Sequence, residues 1–173
     1  MTFLVSFSGL PGVGKTTLAM QLAPRINAIH LRVDSAETAM RRSVLKLPSV
    51  EDLGYLALAA VAKDNLLLGF NVIADMVNPL EITRELWANT AKKGNANLLN
   101  VEAVCSDESV HRARVEGRQS DIEGHVCPDW EAVINRNYEP WQADRIIVET
   151  STASVEENVA RIVDELDKLK LNG

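Results

Sequence analysis

Gly9-Leu10-Pro11-Gly12-Val13-Gly14-Lys15-Thr16 follows the spacing G-x-x-x-x-G-K-[ST], that of a loop that wraps phosphate groups. Its glycines let the backbone turn successive N–H groups inward, and a helix opening at Lys15 adds the positive end of its dipole. Lys15 is long enough to reach the β- and γ-phosphates of a nucleotide, and the Thr16 hydroxyl is a ligand for Mg²⁺. Gly9 to Thr16, with Thr17 after them, form the expected nucleotide-binding set. The flanks agree: Phe3 to Phe7 reads as a strand and Lys15 to Arg25 as an amphipathic helix. A nucleoside triphosphate is the expected ligand.

Outward from the loop, short β-rich runs alternate with longer helical stretches. Ala28–Val33, Asn71–Ala74, Leu98–Val104 and Arg145–Val148 are the further strands. The segment from Ser35 to about Pro48 reads as one short helix and a loop, and Val50 to Gly69 as a long Leu- and Ala-rich helix. Helices follow from about Pro79 to Lys93, Glu108 to Gly117 and Val155 to Leu169. Pro79 suits a first helical turn, where its missing N–H costs nothing. Residues 119–144 form an excursion with one short helix near Trp130. Five strands alternating with helices predict parallel pairing in a three-layer α/β/α sandwich, with ligands bound outside the carboxyl ends of the strands. No internal repeat or linker divides the chain, so residues 1–173 are expected to form a single domain.

Val72-Ile73-Ala74-Asp75 puts a carboxylate at the end of a buried strand, where it could hold Mg²⁺ or simply start the next turn. Asp34 ends the second strand in the same way. It is either the base for an acceptor hydroxyl or, with Ser35, the cap of the next helix. Arg41 and Arg42 are either anion-binding groups or one solvated helix face. His111 to Arg118 carries three arginines, of which Arg114 and Arg118 are i,i+4 neighbours. They could neutralise charge on a transferring phosphoryl group or form a salt-bridged surface with Glu116. Trp130, Tyr138 and Trp141 either pack that excursion onto the core or line the acceptor pocket. His30, in an apolar strand, reads as a satisfied core residue. His125 and Cys127 are close in sequence but lack a third group to orient a nucleophilic pair.

Composition narrows the field. The chain has 18 Lys+Arg against 24 Asp+Glu, net charge −6, which disfavours a nucleic-acid partner. No apolar run approaches the roughly 20 residues needed to span a bilayer. Nothing at the amino terminus reads as an export signal. The two cysteines, Cys105 and Cys127, form no metal-ligand cluster and read as reduced thiols. A cytoplasmic location is expected, and oligomeric state is not legible.

The order and spacing of these features resemble the small P-loop kinases: adenylylsulfate, gluconate and shikimate kinases, chloramphenicol phosphotransferase and zeta toxin. They are closest to the bacterial AAA-domain, kinase-like ATP-binding proteins. The resemblance rests on the loop at 9–16, Val33-Asp34, Val72–Asp75, Asn78-Pro79 with Arg84 and Trp87, Arg114-x-x-x-Arg118, and Tyr138-Glu139-Pro140-Trp141. It implies a sheet of order 2-3-1-4-5, Mg²⁺-ATP as donor, and a helical lid at about 111–130. It also implies Lys15, Asp34, Arg114 and Arg118 as catalytic groups, and Thr16 and Asp75 as metal ligands. Asp34, Arg41, Arg42 and Arg84 are then the candidates to face the acceptor. The expected activity is transfer of the γ-phosphate to a hydroxyl or anionic small molecule. The alternative is a nucleotide-dependent ATPase or switch acting through a protein partner. One departure stands out: the fifth strand ends Val148-Glu149-Thr150, where relatives often have Asp-Thr.

Overall fold

In the computed structural model, which describes residues 1–45, 47 and 49–171, one parallel sheet organises the chain. Its strands are β1 (Thr2–Ser8), β2 (Ala28–Arg32), β3 (Asn71–Asp75), β4 (Ala96–Val104) and β5 (Ile146–Glu149), in the order β2-β3-β1-β4-β5. Parallel neighbours cannot be joined by hairpins, so each connection crosses over a face of the sheet. The helices are α1 (Lys15–Arg25), α2 (Val33–Arg41), α3 (Leu53–Leu67), α4 (Glu81–Lys93), α5 (Glu108–Gly117), α6 (Trp130–Ile134) and α7 (Val155–Leu171).

The side-chain alternation of β1 divides the core in two. Phe3, Val5 and Phe7 point to one face and pack with Leu18 and Leu22 of α1 and Ile162 and Leu166 of α7. Leu4 points to the other and packs with Ala62 and Leu66 of α3 and Trp87 and Ala91 of α4. A strand buried on both sides reads as a continuous apolar run, which is why Phe3 to Phe7 shows no polar alternation. Ser6 and Ser8 are the polar exceptions, and both accept from the Asn78 amide (3.4 and 3.0 Å).

Several boundaries differ from the sequence expectation, and three of them have a visible cause or consequence. β2 stops at Arg32 and α2 begins at Val33 with no loop between them, so Asp34 lies in the first turn of a helix rather than at a strand end. Val33 is 2% exposed, packed with the α3 and α4 residues, and that burial turns the chain at once. α4 begins at Glu81, with Leu80 as its cap residue and Pro79 outside it. Asn78, at φ +50°, makes the turn that keeps Pro79 out of the helix. α3 starts at Leu53, and Pro48, where the preceding segment was expected to end, lies outside the described residues. No helix among the described residues is long and apolar enough to cross a membrane.

Candidate active site

The loop leaves β1 at Gly9, whose φ of +134° and close approach to the Ala103 carbonyl exclude a side chain: an added Cβ would lie 2.3 Å from that oxygen. Gly12, at φ +85°, is covered by α5, with the Val115 methyl 2.6 Å from where a Cβ would be. His111, also on α5, donates from Nε2 to the Pro11 carbonyl (2.8 Å) and meets Trp130 edge-on at 5.1 Å. The loop is thus held from above by α5. Lys15 is buried, and its ammonium donates to the Leu10 carbonyl (2.9 Å) across the loop. Burial lowers its pKa to about 8, against Asp75 and Asp34, which work to raise it. A buried ammonium with one carbonyl partner is poised to take up a phosphate charge.

Asp75 is 2% exposed at the end of β3. Burial works to raise its pKa, but a hydrogen bond from His30, the Lys15 charge and the Thr16 hydroxyl hold it below the usual carboxylate range. His30 Nε2 donates to Asp75 Oδ2 at 3.2 Å, so the histidine expected to be a satisfied core residue is half-buried and serves this carboxylate. An ionised carboxylate beside a threonine hydroxyl is a hard-oxygen pair suited to Mg²⁺.

Asp34 lines the same cavity. The cap residue of α2 is Arg32, without a side-chain cap bond, so neither Asp34 nor Ser35 takes the capping role that was the alternative. Glu37, one turn on, also lines the cavity; burial raises its carboxyl, opposed by Arg41 and reinforced by Asp34. The cavity measures about 1300 Å³, with Gly12, Lys15 and Thr16 in its wall together with Asp34, Arg118 and Arg136.

Arg114 and Arg118 part company despite their i,i+4 spacing. Arg114 donates to the Thr150 hydroxyl (2.9 Å) and carbonyl (2.8 Å). The Thr150 hydroxyl in turn donates to Val13 O at 2.8 Å, which ties the β5–α7 turn to the loop. Glu149 accepts from the N–H groups of Ser106 and Ser151. These bonds outweigh burial and bring its carboxyl down to about 2. The glutamate that departs from the Asp-Thr pattern is therefore a brace between β4 and β5. Arg118 lines the cavity with no side-chain hydrogen bond or ion pair among the described residues. The same holds for Arg136, which the sequence did not single out because the excursion has no periodicity to mark an inward side chain.

Two residues expected to face an acceptor, Arg84 and Arg42, lie outside this cavity. Arg84 is 3% exposed and does not line the cavity. It donates to the carbonyls of Asn78 (3.2 Å), Pro79 (3.2 Å), Glu139 (2.8 Å) and Pro140 (3.1 Å), and lies 4.3 Å over the Trp141 ring. It staples residues 138–141 to the start of α4. Arg42 turns to Glu123 (2.8 Å) outside the main cavity, while Arg41 lines it and pairs with Glu37 (3.2 Å). Tyr138 donates to Glu102 (3.0 Å), so this aromatic pair packs the excursion down. Arg84→Met is accordingly expected to cost about 3 kcal/mol of stability, since a buried guanidinium loses its bonds to four carbonyls together with its stacking on Trp141. Acceptor KM should move less than twofold. Denaturant unfolding beside steady-state kinetics checks it; an unchanged midpoint with a raised KM would return Arg84 to the acceptor site.

Residues 4–135 match the family described as AAA domain. Among curated proteins none matches the sequence significantly. Solved structures with this fold include the Mycobacterium tuberculosis APS kinase in complex with AMPPNP and APS (17% identity, TM-score 0.70, 96% of this chain and 98% of that one). A sugar kinase from Janibacter sp. HTCC2649 is similar at 16% identity and TM-score 0.71, over 96% and 95% of the two chains. Chaetomium thermophilum Kti12 in complex with ADP-AlF3 is similar at 24% identity and TM-score 0.67, over 93% and 97%. The chain belongs to the AAA-domain family and has the fold of the small P-loop kinases.

Proposed function

We propose that this protein is an ATP- and Mg²⁺-dependent kinase that moves the γ-phosphate to a hydroxyl or anionic small molecule. The observation that carries the reading is that one cavity has the phosphate loop, Asp34 and Arg118, unpaired among the described residues, in its wall. Lys15 and the loop N–H groups would hold the β- and γ-phosphates. Thr16 and Asp75 would hold Mg²⁺, which supplies charge neutralisation between those phosphates when bound.

Asp34 would accept the proton of the acceptor hydroxyl as its oxygen attacks phosphorus, in line with the departing ADP. Arg118 would face the equatorial oxygens, where charge is spread in the transition state. Arg114, braced on Thr150, would border the nucleotide. Residues 111–130 would act as the lid that excludes water during transfer. A second reading, an ATPase acting through a protein partner, draws on the likeness to Kti12.

The test is incubation with γ-labelled ATP, Mg²⁺ and a pooled set of alcohols, sugars and organic acids. Label in an organic product is the expected result. Label appearing only as free phosphate, at a rate the pool does not change, would overturn the kinase reading and promote the ATPase one.

A further inference from the structure

The charge on the acceptor side of the cavity has a source that neither the loop nor Asp34 uses. Arg32, the last residue of β2, has a side chain only 11% exposed. Its Nη1 donates to Asp121 Oδ2 at 2.7 Å, and its Nε is buried with no partner. The Asp121 side chain is 64% exposed, and both residues line the main cavity. A buried guanidinium is costly unless its donors are engaged. Here the hydrogen-bonded engagement comes from one carboxylate whose own side chain is in solvent, with the charges of Asp75 and Asp34 acting on the guanidinium without a hydrogen bond.

The loop carrying Asp121 has other attachments. Arg42 binds both the Glu123 side chain (2.8 Å) and its carbonyl (2.7 Å), and Thr38 pairs with His125 (3.1 Å). Asp121 can therefore leave Arg32 without the segment leaving α2. A triphosphate accounts for Lys15 and Arg118. Arg32 remains, with its Nε unsatisfied among the described residues.

Resting on the kinase reading above, we propose that Arg32 binds an oxyanion of the acceptor, a carboxylate or a phosphate. Asp121 is the internal stand-in that this oxyanion displaces. The acceptor is thus an acid that also carries the attacking hydroxyl, and Arg32 selects it against neutral sugars and alcohols. The planar fork of a guanidinium suits a two-oxygen contact with such a group.

The experiment is calorimetric titration of inorganic phosphate into protein whose loop is already filled with Mg²⁺ and AMPPNP. One phosphate per chain is expected beyond the nucleotide. Asp121→Asn should tighten it by about two- to fivefold, because the competing carboxylate is removed. Arg32→Gln should weaken it by about tenfold or more. Nucleotide affinity should stay within about twofold in both. Because Arg32 is buried, its loss could unsettle the fold, whereas Asp121 is exposed and its predicted effect has the opposite sign. No second phosphate on the loaded parent, or an unchanged or weakened one in Asp121→Asn, overturns the proposal. The titration needs no turnover, so with no label transferred a second phosphate bound as expected would still assign Arg32 an oxyanion site, and the loss would fall on the kinase reading and on the name acceptor. Transfer to a neutral acceptor with Asp121→Asn unaltered in the titration sinks this one alone.

Discussion

Lys15→Met is expected to lower ATP turnover about a thousandfold, the scale of losing one preorganised charge at a developing phosphoryl transition state. The protein should remain folded, and at neutral pH it should be more stable than the parent. Lys15 is 8% exposed and its ammonium has one carbonyl partner, Leu10 O. Methionine keeps much of the stem and removes a buried charge. Asp75 would keep its bonds to His30 and Thr16.

The pH dependence gives a second readout. Burial lowers the Lys15 pKa from 10.5 in the unfolded chain to about 8. Between those values the unfolded state binds more protons than the folded one, so stability rises with pH. The penalty is complete below about pH 8 and gone above about 10.5. The stability advantage of Lys15→Met should therefore be widest near neutrality and close as pH approaches about 10. Denaturant midpoints of the two proteins across that range check it. A gap that widened with pH would mean that the ammonium stabilises the fold.

Asp34→Asn should lower transfer to the acceptor by about a thousandfold, within the range of a positioned general base. Nucleotide binding should not weaken, because Asp34 makes no hydrogen bond to the phosphate loop and its negative charge, which acts on Lys15, opposes a bound triphosphate. Its side chain makes no hydrogen bond among the described residues, so the amide leaves no buried group stranded. Losing a first-turn acid from α2 costs about 0.5 kcal/mol. Single-turnover transfer beside fluorescence titration of nucleotide separates the two effects. If transfer survives and Glu37→Gln abolishes it, the base is Glu37, one turn along the same helix and already raised by burial and by Asp34.

Much of the architecture was written in local patterns. The loop spacing, the apolar runs of β1 and β3 and the span of α5 each depend on neighbours in sequence, and the structure has them within a residue or two. The same patterns pointed at Lys15, Thr16, Asp75 and Asp34, all of which line one large cavity. Where burial overrides propensity the patterns fell short. Val33 packs into the core and pulls Asp34 off the strand into a helix, and Asn78 turns the chain so that Pro79 stands outside α4.

Arginines were the least legible residues, because a guanidinium does the same things in sequence whether it meets a phosphate or a carbonyl. Arg84 and Arg118 differ only in what surrounds them: one closes on four backbone carbonyls, the other faces open cavity. Arg32 sits on no motif, and its pairing with Asp121 depends on the excursion folding back over β2 and α2. By itself the chain determined a parallel sheet with a phosphate loop at its centre, since glycine spacing and strand periodicity act over a few residues. Only the tertiary structure decided which charges face the cavity and what pairs with them, since that depends on pairs such as Arg32 and Asp121, 89 positions apart, brought together by the packing of the whole.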